Sequence, residues 1–92
     1  MNLCDWKITF DPMELLSGKM DYDALMAEAI EQGEDIIQIE NKKNRRVLDL
    51  GWYGTAFGIY LVDGDWDKPL KNERFESLKE AVGRFRQLAE NV

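Results

Sequence analysis

Histidine is absent from this 92-residue chain, which removes the side chain most often used as a general base near neutral pH and most often used to ligate transition metals. A triad of nucleophile, histidine and carboxylate is therefore excluded. Serine is scarce as well: Ser17 and Ser77 are the only two, and Ser77 reads as a helix cap. With one cysteine, Cys4, no intramolecular disulfide can form, so a reducing compartment is expected and the lone thiol reads as a small buried apolar group. These gaps predict a protein that is not an enzyme, without catalytic residues, bound metal or cofactor.

Long hydrophobic runs are missing too. The longest, Ala56 to Val62, has seven residues including a glycine, far short of the roughly eighteen that a membrane span needs. The opening Met1-Asn-Leu-Cys-Asp-Trp-Lys7 has no cationic leader followed by an apolar stretch and a small-residue cleavage site. The expectation is a cytoplasmic protein with no membrane partner.

Positive charge is absent between Lys19 and Lys42. Residues 1–40 hold ten Asp and Glu against two Lys, a net of −8, whereas residues 41–92 hold eight acids against ten Lys and Arg, a net of +2. The total of −6 disfavours nucleic acid and anionic membranes as partners, since counterion-driven binding needs a cationic face. The apolar content of 45%, ten aromatic residues and only two prolines argue for a folded chain, and the length suits one domain over 1–92.

Periodicity then places the elements. Trp6, Ile8 and Phe10 alternate with polar residues and are expected on one face of a strand that Asp11-Pro12 stops. Met13 to Met20 reads as a loop or a single helical turn. From Asp21, the spacing of Tyr22, Leu25, Met26, Ala29 and Ile30 is that of an amphipathic helix, with Gly33 as its C-terminal cap. Asp35 to Glu40 predicts a second strand, Asn41 to Asn44 a polar turn, and Arg45 to Trp52 a third strand with Leu48, Leu50 and Trp52 on one side. Ala56 to Val62 is apolar on both faces and should lie centrally, with Phe57, Ile59 and Leu61 toward the helices. Lys68 to Phe75 suits a short edge strand. Ser77-Leu-Lys-Glu80 fits a capping box ahead of a helical stripe of Leu78, Ala81, Val82, Phe85, Leu88 and Ala89. The fold class is α+β: an antiparallel sheet of three to five strands with two helices packed on one face, in the order β-α-β-β-β-(β)-α.

Four constellations bear on function. Asp21, Asp23, Glu28, Glu31, Glu34 and Asp35, with Glu14 nearby, lack the i,i+4 cations that usually neutralise a helix face, and so mark a surface for a basic partner. Lys42, Lys43, Arg45 and Arg46 at a hairpin tip, with Trp52, Tyr53 and Tyr60 as stacking surfaces, make RNA or single-stranded DNA binding the alternative. Asp63, Asp65 and Asp67 alternate after a strand in a spacing that suits a hard cation, yet the EF-hand glycine and glutamate are missing, which favours a solvated turn. Trp52, Tyr53 and Tyr60 on a sheet face without helices would also suit a homodimer. The first constellation leads: a small acidic interaction protein, of the class of immunity proteins, antitoxins and phage-type inhibitors, that engages another protein through a basic surface.

Overall fold

The computed structural model describes residues 5–17 and 20–91, so Cys4 lies outside the described residues. The alternating segments pair into one antiparallel sheet: β1 (Trp6–Phe10), β2 (Ile37–Asn41), β3 (Val47–Trp52), β4 (Phe57–Val62) and β5 (Lys71–Phe75), in spatial order β1-β2-β3-β4-β5. Helix α1 (Tyr22–Gln32) connects β1 to β2, and α2 (Leu78–Asn91) follows β5. The ambiguous stretch after β1 forms a single 3-10 turn, Leu15–Ser17.

Local chemistry sets the helix ends. The Asp21 carboxylate accepts from the Ala24 amide at 3.2 Å, and Gly33 leaves the helix at φ 82°, a conformation that favours glycine, while its amide donates to Ile30. In α2 the Ser77 hydroxyl accepts from the Glu80 amide at 3.1 Å. Helix α2 lies across β3, β4 and β5, and α1 packs beside it.

The core fills the space between helices and sheet. Ile37, Ile39, Leu48, Leu50, Phe57, Ile59 and Leu61 meet Leu78, Ala81, Val82, Phe85, Leu88 and Ala89 of α2 and Ala29 of α1. Full burial of each large aliphatic or aromatic side chain contributes about 1.5–3 kcal/mol. At one margin the Trp6 indole donates to the Ala89 carbonyl at 2.9 Å, and at the other Arg86 of α2 reaches the Leu15 carbonyl and the Tyr22 hydroxyl.

Two expectations need correction. Trp6 and Ile8 share a face, but the register shifts between Ile8 and Phe10, so that Phe10 stands opposite Gln38 and leaves that face. Trp52 turns toward the helices, with its ring edge-on to Phe57 at 4.9 Å, so it does not join Tyr53 and Tyr60 on the uncovered face. An aromatic patch of all three residues for a homodimer is therefore not assembled.

Candidate interaction surfaces

The outer side of α1 follows from its helical stripe. Leu25, Met26, Ala29 and Ile30 are buried or half-buried, which leaves Asp23, Glu28 and Glu31 exposed on the opposite side, with Asp21 exposed at the cap. Glu34 and Asp35 continue this region on the strap from α1 into β2. The strap is fixed tightly: the Trp52 amide donates to the Gly33 carbonyl at 2.7 Å and the Ile36 amide to Leu50 at 3.0 Å. Gly51 permits this approach, because a Cβ there would collide with the Glu34 backbone.

Among the described residues, the ion pairs are Lys43–Asp5, Arg45–Glu40, Arg46–Asp63 and Arg84–Glu73. None involves Asp21, Asp23, Glu28, Glu31, Glu34 or Asp35. Arg86, the distal cation nearest the early helix, spends its guanidinium on Tyr22 and a carbonyl instead of a carboxylate. The acidic residues of α1 and its strap are thus left unneutralised by these four pairs.

The basic hairpin tip is built by two asparagines. The Asn41 carboxamide, 4% exposed, accepts from the Lys43 and Asn44 amides at 2.9 and 3.1 Å, and Asn44 accepts from the Arg46 amide at 2.9 Å. Arg45 takes a left-handed φ of 65° in the turn. Three of the four predicted nucleic-acid cations, Lys43, Arg45 and Arg46, face carboxylates. Of the predicted stacking aromatics, Trp52 and Tyr53 sit at the other end of β3, roughly 17 Å along a strand of this length, and Tyr60 lies opposite Asp49 beneath Arg74. The structure does not bring the two halves of that constellation together.

Asp63, Asp65 and Asp67 also go separate ways. Asp63 pairs with Arg46 at 3.7 Å, and Asp65 accepts from the Asp67 amide at 2.9 Å as a turn residue does. No group of three or more metal-ligating side chains is formed among the described residues.

Sequence reasoning placed Tyr53 and Tyr60 on the uncovered face of the sheet but missed the buried acid among them. Gln38, Asp49, Tyr60 and Asn72 lie in one cross-strand row there. Asp49 is only 3% exposed; its carboxylate accepts from the Tyr53 hydroxyl at 3.0 Å and from the Gln38 side-chain Nε2 at 3.5 Å. Burial pushes its pKa up to about 6, with Asp35 and Glu34 adding to the rise, while the bonds from Tyr53 and Gln38 act the other way. The same burial, with the Asp49 charge beside it, drives the Tyr53 phenol far above its ordinary range. Arg74 lies over both tyrosines, 5.2 and 5.0 Å from their ring centroids, and the rings meet edge-on at 5.2 Å. Gly58 makes room, since a Cβ there would meet Arg74 and the Tyr53 ring. The available signal was Asp49 between two core leucines, one strand away from a glycine and a tyrosine.

The chain matches no family model, and no curated protein or solved structure shows significant similarity to it. Among the described residues no helix is long and apolar enough to cross a membrane.

Proposed function

We propose that this protein is a small, non-catalytic interaction protein that engages a basic surface of another protein, as immunity proteins, antitoxins and charge-mimicking inhibitors do. One observation carries the reading: Asp21, Asp23, Glu28, Glu31, Glu34 and Asp35 are all exposed, while the ion pairs formed among the described residues lie elsewhere. Exposed charge of one sign accelerates encounter with an oppositely charged partner and makes the association salt-sensitive. Because α1 is anchored through its inner stripe and its two caps, the outer carboxylates are held in a fixed array.

The test is capture of a partner from cell extract by the immobilised chain. Replacing Glu28→Lys and Glu31→Lys together should weaken capture about tenfold, whereas Glu76→Lys with Glu90→Lys should leave it unchanged. Capture indifferent to both pairs would remove α1 from the reading. Retention of the wild-type chain on phosphocellulose at low salt would favour nucleic acid instead.

A further inference from the structure

Among the described residues, the outer side of β1 is a strand edge without a backbone partner. The Lys42 amide donates to the Asp5 carbonyl at 2.7 Å, and Trp6, Lys7 and Ile8 follow opposite Asn41, Glu40 and Ile39. Bonded and non-bonded pairs alternate in an antiparallel ladder, so Asp5 and Lys7 direct their backbone groups to β2 while Trp6 and Ile8 direct theirs away. Among the described residues, those outward groups have no backbone partner. The opposite edge is guarded by the charged run Lys71-Asn-Glu-Arg74, but β1 has Lys7 alone and leaves Ile8 48% and Phe10 40% exposed.

A hollow lies on each side of this edge. On the helix side, one of about 450 Å³ is lined by Ile8, Leu16, Ser17, Asp11 and Glu14. On the uncovered side, one of about 260 Å³ is lined by Thr9, Phe10, Gln38 and Asp35. Each combines an apolar surface with a carboxylate. Successive side chains of a strand added to β1 would enter the two hollows in turn.

We propose that β1 receives an extended basic peptide segment of a partner by strand addition, with Lys or Arg side chains laying their stems on Ile8 and Leu16, or on Phe10, and their charges against Glu14 and Asp35. Long cationic side chains bury their methylenes on apolar surface while the head group stays polar, which is the chemistry both hollows offer. A second copy fits poorly: two-fold antiparallel pairing of β1 with itself about Ile8 would set Asp11 of one chain against Asp5 of the other, like charge against like. The inference shares with the proposed function the sign of the partner's charge and Asp35, and moves the contact from α1 to the edge of β1.

The test is an amide NMR titration of the full chain with a synthetic octapeptide in which Lys-Lys and Val-Val pairs alternate, which presents Lys to both hollows, beside one in which Glu-Glu and Val-Val pairs alternate. The Lys peptide should shift the Trp6 and Ile8 amides and slow their hydrogen exchange about tenfold or more at saturation; the Glu peptide should do neither. Ile8→Pro removes an outward N–H without touching a bond to β2 and should abolish the effect. Should that variant unfold, Glu14→Lys with Asp35→Lys keeps the backbone intact and should weaken binding about tenfold. Unprotected Trp6 and Ile8 amides, equal binding of the Glu peptide, or indifference to the double charge reversal would overturn the inference. So would self-association through β1 without peptide. Shifts confined to α1 would overturn it while supporting the proposed function, and binding at β1 with α1 charge reversal silent would do the reverse.

Discussion

The two faces of the sheet are made by the same strands and solve burial in different ways. The covered face is apolar where it meets the helices except at Glu73, which Arg84 of α2 pairs, and its Ile37, Leu50, Ile59 and Phe57 are fully buried. The uncovered face buries Asp49 as well, but under tyrosine rings and a guanidinium instead of a helix. Aliphatic packing stabilises at every pH, whereas a carboxylate withdrawn from water carries a cost that depends on its protonation. The buried acid makes the second face the one that gains stability as pH falls toward about 5.

Breaking the covered face should produce the largest effect. Phe57→Ala removes a fully buried ring and its edge contact with Trp52, and should cost about 3–5 kcal/mol in urea denaturation, the range for such truncations. For a domain whose total stability is about 5–10 kcal/mol, that leaves a marginal fold.

Titration isolates the uncovered face. The Asp49 pKa of about 6 in the folded protein lies above its ordinary 3.8, so the folded state holds the proton more tightly. The penalty is absent below the ordinary value and grows as pH rises through 6, reaching on the order of 3 kcal/mol when the group is ionised in both states. Stability due to this group should therefore rise on going from about pH 7.5 to about pH 5. Asp49→Asn should flatten that rise and stabilise the protein at the higher pH; an unchanged slope in the variant would assign the dependence elsewhere. Glu73 acts in the opposite sense at lower pH, because the hydrogen bond from Arg84 holds its carboxyl below the usual range and that stability is lost on acidification through its folded pKa.

The smallest effect is expected from the lid. Arg74→Ala removes the cation over Tyr53 and Tyr60 and should cost about 0.5–1 kcal/mol. It also admits water toward Asp49, so the titration midpoint in the variant should move down toward 3.8. A loss as large as that of Phe57→Ala would mean that the two faces are equally dependent on packing.

The covered face was legible in the sequence because each of its signals is local. Alternation in β2 and β4, the spacing from Tyr22 to Ile30, the stripe from Leu78 to Ala89, and the caps Asp21, Gly33 and Ser77 all require only neighbouring residues. The uncovered face was not legible because its logic crosses strands. Asp49 occupies the polar phase of an alternation, where an exposed side chain is the usual outcome; its burial depends on Gln38, Tyr53 and Tyr60 from three other places in the chain. Phe10 was misplaced for a related reason, since one extra residue in β1 opposite β2 reverses the facing of whatever follows. The acidic residues of α1 were legible as a face, and the pairing of the tip cations with Asp5, Glu40 and Asp63 was not, because two of those partners lie on other hairpins or strands.

The bond from the Trp6 indole to the Ala89 carbonyl spans 83 positions of sequence. The hairpins joining β2, β3, β4 and β5 close over short loops, so their ordering costs little chain entropy and they are suited to form early. The indole clasp has to wait until both the first strand and the last helix are docked. Its loss should therefore leave the rate of folding nearly untouched and appear as faster opening of the native state, which makes Trp6 a latch on kinetic persistence rather than a seed for assembly.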